Sequence, residues 1–596
     1  MKKFTKILSV IGVIGAAGLA LSGLAGCANK PGSGKTGFET ELKIGVFNGG
    51  LGYEWAEKVA EKFEEKYKDV SFEPGKTGVS VNIDPQKERF KVESIQTAIE
   101  QNTGANDIYY TCYLFHRAFA NRKLVYNMND IVNEKVYLDN GELADMTYNP
   151  QTKKYELAAG AESPTKSLLD KMNDPWKTAY YFDSNKTIEA GYYALPYETS
   201  LTGFVYDHDL FAEQGWLNYD GIDGLPDTTE DFIDLLERIK RSNMIGYTFS
   251  PTDYWMGLQS AYMAQYEGYE NAALNYTYSG EYTFKNLPDS TLAVFTDEFC
   301  AENNIKNNGD GTYTVTITPS NAWLLAYQPG KDSYLKFLRD ITYDSGYSDP
   351  NRSKTTYDFT AAQTAFILSK LGKTGQKRIA MLYEGEWWEN EARAIFNATG
   401  GYGTRDFRFF PLPEIENQKD KNVRSIGSDK LSTDMIINAK SDKLDLCRLW
   451  VQFSHSESML EEMTLTNGVV RNSFEYDLND AQLSTLTKFG QNVYKIKHGA
   501  GEYSKVSLVY PSGYTDQDGF YSDTPMGGFG NVISSLCLGK YGTWNAIGTQ
   551  AISYFWNRPF DKDNYVSAEK FIEEMHNYYS KSTWEQAYRA WQQLNA

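Results

Sequence analysis

Strand-like and helix-like stretches alternate along the chain after residue 41. Residues 42–47, 79–83 and 106–113 are short apolar runs of strand length, whereas residues 53–70 and 86–102 carry apolar side chains at helical spacing, with charged side chains between them. Parallel strands need a crossover connection of about a dozen residues or more, usually a helix. The order β-α-β-α-β therefore predicts a parallel sheet covered by helices, in which a ligand lies beyond the carboxyl ends of the strands.

The stretch GCANKPGSGKTG, residues 26–37, contains features of both a phosphate-binding loop and a lipid-attachment site. A P-loop needs Gly at position 29, which is Asn29, and it needs a buried strand before it. The other interpretation fits better, because lysines in residues 1–6 precede an apolar run, the order of a secretory signal. Leu24-Ala25-Gly26-Cys27 resembles the lipobox of bacterial lipoproteins, so we expect cleavage after residue 26 and acylation of Cys27. The alternative is an uncleaved anchor, since about 20 apolar residues can span a bilayer.

The composition excludes several classes of function. A formal net charge of −19 argues against a nucleic-acid partner, because such binding depends on basic surface. The five histidines form no pair at metal-binding spacing, and the cysteines after Cys27 are too scattered for a metal knuckle. We therefore expect no metal and no cofactor. Aromatic residues make up 15% of the chain, and flat carbohydrate faces pack well on such rings.

A series of short motifs follows in a fixed order. They are Asp107-Ile108, Lys123-Leu124-Val125-Tyr126-Asn127-Met128, Leu195-Pro196-Tyr197, Phe204-Val205-Tyr206-Asp207, Asp209-Leu210-Phe211 before Gly215-Trp216, Pro226-Asp227-Thr228, RIAMLYEGEWWENEA (residues 378–392) and MTLTNGVVRN (residues 463–472). Together they resemble the extracellular solute-binding proteins of ABC importers, specifically the group that binds sugars and oligosaccharides. The resemblance spans most of residues 42–500. The chain departs from it at Lys123, where Gly is usual, at Glu386, where Pro often precedes the Trp, and in an extra segment at about 275–357.

The resemblance implies an α/β fold with two lobes, like the periplasmic binding proteins of the hinge-closing type II, with parallel-rich sheets flanked by helices. We expect a lipoprotein signal peptide (1–26), a flexible linker with the lipidated Cys27 (27–40) and a solute-binding protein (41–596). One lobe of that protein is expected at about 41–199 plus a later return segment, and the other at about 200–430 plus later segments. An insertion at about 275–357 is expected to extend the edge of the cleft. The expected hinge runs from Leu195 to Phe204, where Pro196 and a polar turn separate two strands. The alternative is an ordinary loop within one lobe.

The candidate ligand-binding residues follow strands or begin helices at the expected cleft. Asn48 and Glu54 follow the first strand and offer an amide and a carboxylate to sugar hydroxyls, and Glu198 lies at the expected hinge. The candidate rings are Tyr113, together with Phe115, Tyr254, Trp255, Trp387 and Trp388. Only one of two adjacent helical residues can easily face the cleft, and Trp387 is favoured over Trp388. Core packing is the alternative for each ring, and stabilisation of the glycine turn is the alternative for Asn48.

The resulting hypothesis is a monomeric receptor, anchored by lipid on the extracellular side of the cell membrane. It binds an oligosaccharide between two lobes and delivers it to the transmembrane subunits of an ABC permease, without catalysis. Two alternatives remain. One is an exported carbohydrate-active enzyme, although no spacing of carboxylates singles out a catalytic pair. The other is a receptor of the same fold for a peptide or another polar solute.

Overall fold

The computed structural model describes most of the chain after residue 37. The described residues are 38–86, 92–112, 116–149, 151–152, 154–184, 186–198, 200–250, 255–342, 346–353, 356–372, 376–399, 401–421, 423–428, 433–468, 470–471, 473–509, 573, 576 and 580–595. The expected signal peptide, residues 1–26, and Cys27 lie outside this part of the chain.

The strands belong to two large sheets and several small ones. In chain order they are β1 (Thr40–Phe47), β2 (Val79–Gln86), β3 (Ile108–Cys112), β4 (Lys135–Tyr137), β5 (Met146–Asn149), β6 (Lys154–Leu157), β7 (Lys166–Ser167), β8 (Tyr181–Phe182), β9 (Gly191–Tyr192), β10 (Leu195–Glu198), β11 (Leu201–Asp207), β12 (Ile245–Thr248), β13 (Gly280–Phe284), β14 (Lys306–Asn307), β15 (Tyr313–Ile317), β16 (Ile379–Gly385), β17 (Phe407–Phe410), β18 (Arg424–Ser428), β19 (Thr433–Ile437) and β20 (Val506–Val509).

The helices cover the two large sheets. They are α1 (Glu54–Tyr67), α2 (Val92–Gln101), α3 (His116–Asn121), α4 (Asn129–Val132), α5 (Leu168–Lys171), α6 (Asp174–Tyr180), α7 (His208–Gln214), α8 (Thr229–Arg241), α9 (Trp255–Glu267), α10 (Tyr269–Thr277), α11 (Asp289–Leu292), α12 (Asp297–Glu302), α13 (Pro329–Thr342), α14 (Phe359–Ser369), α15 (Trp388–Glu391), α16 (Arg393–Thr399), α17 (Leu444–Ser454), α18 (Glu457–Asn467), α19 (Asp480–Leu483), α20 (Lys488–Lys497) and α21 (Lys581–Asn595). Among the described helices, none combines the length and the apolar character needed to cross a bilayer.

The first sheet has the strand order β10-β19-β3-β1-β2. β1 pairs in parallel with β2 and with β3, as the alternating pattern predicts. β19 runs antiparallel to both β3 and β10, so β1, β2, β3 and β10 all end at the same edge of the sheet. The predicted apolar stripe of α1 is buried, and Trp55, Val59 and Phe63 have no exposed surface.

The second sheet has the order β12-β16-β11-β18-β20, with β17 also paired to β11. α8 lies beside it and begins after its N-cap residue, Thr228. The Thr228 hydroxyl accepts a hydrogen bond from the Asp231 N–H at 3.1 Å, and the Asp231 carboxylate accepts one from the Thr228 N–H at 3.2 Å. This reciprocal arrangement satisfies two N–H groups that a helix start would otherwise leave without a partner. The expected two-lobed α/β architecture is confirmed.

The chain passes between the lobes more than once. It leaves the first sheet at the end of β10 and enters the second sheet with β11, beginning at Leu201, and it returns between β18 and β19. A third passage separates α18, which packs on α1, from α20, which packs on β17. One apolar cluster fills the first lobe and continues onto one face of the second sheet, and another fills the opposite face of the second sheet. The lobes are therefore separate sheets joined by neighbouring passages.

The extra segment forms a small sheet of its own, in the order β13-β15-β14. It is followed by a 3-10 turn (Ala322–Tyr327) and by α13, which packs along α9. Tyr282, Phe284 and Val315 are buried in the apolar cluster of the second lobe. The segment is thus packed into that lobe.

Candidate functional site

The carboxyl edges of the two large sheets meet where the chain crosses between the lobes. β12 runs parallel to β16, and the start of β11 lies beside the end of β16, with Thr202 opposite Gly385. β11 directly follows β10, which ends at the carboxyl edge of the first sheet. The two edges therefore face the same space, which is where open α/β sheets bind ligands. We call this space the cleft.

Trp387 lies in the cleft between two glycines from different lobes. A Cβ atom on Gly50, in the loop after β1, would lie 3.1 Å from the Cβ atom of Trp387. A Cβ atom on Gly385, at the end of β16, would overlap the indole ring itself. Only glycine lets backbone approach a ring this closely. Trp387 thus touches both lobes and retains 5% of its surface exposed.

Trp388, the next residue, points away from the cleft into the second lobe. Its ring packs on Phe366, Phe396, Phe407 and Phe489 at centroid distances of 5.0–5.8 Å. It has no exposed surface. Its position is that of a core residue, whereas Trp387 is the member of the pair that lies against Gly50 of the other lobe.

Asn48 and Glu54 flank the glycine loop after β1. Asn48 is half-buried, and its side chain forms no hydrogen bond within the described part of the chain. Glu54 is exposed and begins α1, and its carboxylate accepts a hydrogen bond from the Tyr53 N–H at 3.0 Å. A carboxylate at this position also favours the positive end of the helix dipole. The Glu54 carboxylate is thus bonded at the helix start, and a ligand-binding role for Asn48 or Glu54 stays a prediction.

The structure gives less detail for the other predicted residues. Tyr113, Phe115 and Tyr254 lie outside the described residues. For Glu198 and Trp255 only the backbone is described: Glu198 ends β10 opposite Thr433, and Trp255 begins α9 after β12. Both backbone positions lie at the cleft edge, and the ligand-binding role of these residues stays a prediction.

Glu386, between Gly385 and Trp387, joins two of the passages between the lobes. Its carboxylate accepts hydrogen bonds from the N–H groups of Leu201, at 2.9 Å, and Val470, at 3.3 Å. Lys497 donates to the same carboxylate at 2.8 Å and to the Val470 carbonyl at 2.6 Å. Both charged side chains are buried, and burial raises the pKa of Glu386. We call these residues the crossing clamp.

Arg471 adds a second tie between the same passages. Its guanidinium lies 5.7 Å from the centre of the Tyr197 ring and donates to the Pro196 carbonyl at 3.4 Å. The Tyr197 ring in turn packs edge-on against Tyr110 at 4.9 Å and beside Trp55 at 5.3 Å. Residues on both sides of the first passage are thus held by adjacent residues of the third one.

Sequence reasoning missed the crossing clamp. Glu386 stands out in the sequence only as a departure from the resemblance at that position. Its partner Lys497 is 111 residues away, so no local periodicity connects the two. A carboxylate directly before a cleft tryptophan is the one local signal that could have prompted a search for a buried cation.

A polar network lies behind the ends of β12 and β16. The Asp349 carboxylate accepts a hydrogen bond from the Tyr357 hydroxyl at 2.8 Å, and that hydroxyl also contacts the Thr248 hydroxyl at 2.8 Å. The Gln363 amide donates to the Glu384 carboxylate at 3.3 Å. These residues are buried, and burial raises the pKa of Tyr357. They fix the strand ends that carry the cleft residues. Within the described ranges, no three side chains of His, Cys, Asp or Glu are placed to hold a metal ion.

A family model described as bacterial extracellular solute-binding protein matches residues 49–458, more than half of the chain. No curated protein matches the chain as a relative.

Several solved structures are similar to this chain at low sequence identity, and one of them has a TM-score above 0.5. A probable secreted solute-binding lipoprotein from Streptomyces coelicolor is 10% identical, with a TM-score of 0.51 over 92% of this chain and 98% of that chain. A chitin oligosaccharide binding protein is 15% identical, with a TM-score of 0.48 over 91% and 99%. An ABC substrate-binding protein from Listeria monocytogenes, in complex with cycloalternan, is 13% identical, with a TM-score of 0.47 over 91% and 99%. At such identities the likeness concerns the fold.

Proposed function

We propose that this chain, which belongs to the bacterial extracellular solute-binding proteins, binds a carbohydrate in its cleft and delivers it to an ABC permease. The observation that carries the proposal is Trp387, held between Gly50 of one lobe and Gly385 of the other. A ring at this place contacts any solute that bridges the lobes.

The chemistry of the cleft favours a sugar over a charged solute. An indole face packs well against the flat, apolar face of a pyranose, and the Asn48 amide can both donate to and accept from hydroxyl groups. The charged groups at the crossings are engaged with the protein, since Glu386 binds Lys497 and Arg471 stacks on Tyr197. A peptide receptor would instead need charged groups directed at the termini of its ligand.

The proposed mechanism is a shift between open and closed forms. A sugar that touches both lobes binds the closed form better than the open one, and so increases its population. The permease subunits then recognise the closed form. The lobes need to move only at the passages held by the crossing clamp, because each lobe has its own sheet.

Acylation of Cys27 would hold the protein on the extracellular side of the membrane, as a monomer beside the permease. A diacylated Cys carrying a further chain on its amine anchors far more firmly than a single acyl chain. In this proposal the protein releases the sugar unchanged, and catalysis plays no part.

The test is calorimetry and thermal unfolding of residues 28–596 with maltotetraose, cellotetraose, xylotetraose and chitotetraose. A sugar at about 100 times its dissociation constant should stabilise the fold by about 2.7 kcal/mol. Trp387→Ala should weaken binding by roughly tenfold or more, because a buried ring dominates such contacts. Trp388→Phe, which keeps a ring in the core, is the matched control and should leave binding unchanged.

Three results would contradict the proposal. Binding that responds only to peptides or amino acids would leave the fold but exclude the carbohydrate. Turnover of an oligosaccharide at catalytic protein concentration would favour the exported enzyme. An unchanged affinity in Trp387→Ala would remove the ring from the site.

A further inference from the structure

The small sheet of the extra segment lies at the end of α9 that is remote from the cleft. α9 begins with Trp255 at the cleft edge and has 13 residues, a length of about 20 Å. At its other end, the Glu267 carboxylate accepts hydrogen bonds from the Tyr282 hydroxyl at 2.7 Å and from the Gly330 N–H at 2.8 Å. α13 then returns toward the cleft, where the Tyr247 hydroxyl donates to the Ile341 carbonyl at 2.8 Å. The sequence analysis expected the segment to extend the edge of the cleft, but its small sheet lies at the far end of α9.

A cavity of about 640 Å³ lies between this sheet and the C-terminal helix α21. Its walls come from β15 and the turn after it, from the end of α12, and from one face of α21. The volume falls within the range of sites that bind small molecules. Because its walls belong to the remote end of the second lobe, the cavity is separate from the cleft.

Contacts between distant parts of the chain hold the two walls together. The Trp584 indole N–H donates to the Pro319 carbonyl at 2.7 Å, and its ring meets Tyr278 edge-on at 5.5 Å. At the rim, the Lys581 ammonium donates to the Asn303 side chain at 3.0 Å. The cavity is therefore built by fixed contacts of α21 on the extra segment.

The cavity lining is rich in neutral hydrogen-bonding groups and its charges balance. Hydroxyls come from Thr316, Thr318 and Ser320, and Asn304 and Asn321 add amides. Within this set the Thr318 hydroxyl donates to the Asn321 side-chain oxygen at 3.1 Å, and the Asn321 amide donates to the Thr316 carbonyl at 3.0 Å, so part of it is already bonded in the turn after β15. The cations, Lys581 and Arg589, are matched by the anions, Glu302 and Glu585, and Arg589 pairs with Glu585 at 3.0 Å. Balanced charge with many hydroxyls and amides suits a ligand that is uncharged and rich in hydroxyl groups.

Two aromatic residues complete the lining. Trp323 is almost fully buried in the turn after β15, and Tyr588 is half-buried on α21. The half-buried Tyr588 ring, beside hydroxyl and amide groups, provides the apolar surface that a sugar face needs, and the buried Trp323 ring forms part of the wall. We infer that this cavity is a second saccharide site, separate from the cleft, for an uncharged oligosaccharide.

The test is a calorimetric titration of residues 28–596 with the same four tetrasaccharides, extended to millimolar concentrations. We expect a second, weaker binding event besides that of the cleft. Thr316→Trp places a ring inside the cavity from an exposed position on β15 and should abolish this event. Tyr588→Ala should weaken it roughly tenfold. Lys306→Trp, an equally exposed position on the neighbouring strand outside the lining, is the matched control and should leave it unchanged.

The outcomes separate this inference from the proposed function. Trp387→Ala should weaken the cleft event and leave the second one intact, so either site can fail without the other. A single binding event with every sugar would overturn the second site. So would a second event that survives both Thr316→Trp and Tyr588→Ala in protein whose unfolding temperature is unchanged.

Discussion

Two buried lysines, one at the crossings between the lobes and one in the extra segment, have different kinds of hydrogen-bond partner. In the crossing clamp, Lys497 meets the carboxylate of Glu386 directly, at 2.7 Å. At the base of the extra segment, Lys331 donates to the Asn275 side chain at 2.6 Å, while Glu267 is bonded to other neutral partners. A direct ion pair joins the separate passages at the crossings, whereas at the base of the segment Lys331 and Glu267 form hydrogen bonds with neutral groups.

The difference has a measurable consequence in the base of the segment. Burial lowers the pKa of Lys331 to about 7, and it raises the pKa of Asp332 to about 7. Neutral partners only partly replace the water that a charge loses on burial. The contribution of the base to stability should therefore depend on pH. The contribution of the crossing clamp should instead be lost when one of its two charged partners is removed.

The largest effect is expected from Lys497→Met, which leaves the Glu386 carboxylate buried without its cation. Breaking a buried pair in this way costs about 3–5 kcal/mol. Denaturant unfolding of the variant measures the loss. The double variant Glu386→Met with Lys497→Met should recover much of the lost free energy of unfolding. A Lys497→Met variant as stable as the parent would show that the pair does not hold the crossings.

Asp332→Asn should change how stability depends on pH. The folded protein keeps the Asp332 proton up to about pH 7, whereas the unfolded chain loses it near its ordinary pKa of about 4. The unfolded state therefore binds fewer protons in this window, so the parent loses stability as pH rises from about 4 to 7. Relative to the parent, the variant should gain roughly 2–4 kcal/mol over that window. Unfolding curves at several pH values test this, and parallel profiles would contradict it.

Gly330→Ala should destabilise the base by about 1–3 kcal/mol, as overpacking usually does. The added methyl group would lie 2.7 Å from Oε1 of Glu267, a buried carboxylate with fixed partners. Thermal unfolding measures the effect. A variant with the stability of the parent would mean that the network around Glu267 can rearrange.

Gly50→Ala should have the smallest effect on stability, below about 1 kcal/mol, because the new methyl group meets a side chain of the other lobe. The lobes can separate slightly to relieve this contact, so the expected change is a several-fold loss of sugar affinity. Calorimetry measures the change in sugar affinity, and thermal unfolding of the same variant measures the change in stability. A loss of stability equal to that of Gly330→Ala would show that the lobes are packed as rigidly as the segment base.

The parts of the fold that the sequence predicted are those governed by local periodicity. The apolar stripe of Trp55, Val59 and Phe63 depends on neighbouring residues in the sequence, and the structure confirms it. The site was harder to predict. Trp387 and Trp388 are neighbours in the sequence. What distinguishes them is that Trp387 lies against Gly50, a residue distant in the chain.

Long-range contacts account for what sequence reasoning could not find. The pairing of Glu386 with Lys497 has no local signature. The cavity beside α21 likewise depends on the C-terminal helix packing on a segment more than two hundred residues earlier, as the bond from Trp584 to Pro319 shows. Such arrangements follow from tertiary packing and not from propensity.

The neighbouring passages between the lobes limit how the molecule can deform. Two bodies joined by one connection can rotate about several axes. Bodies joined by several adjacent passages rotate easily about one axis only, the line that runs through those passages. The ties from Val470 to Glu386 and from Arg471 to Pro196 bring the third passage onto that line. The proposed opening and closing would then follow one coordinate, so a single distance between the lobes, such as one from α1 to α16, would be enough to follow the whole motion.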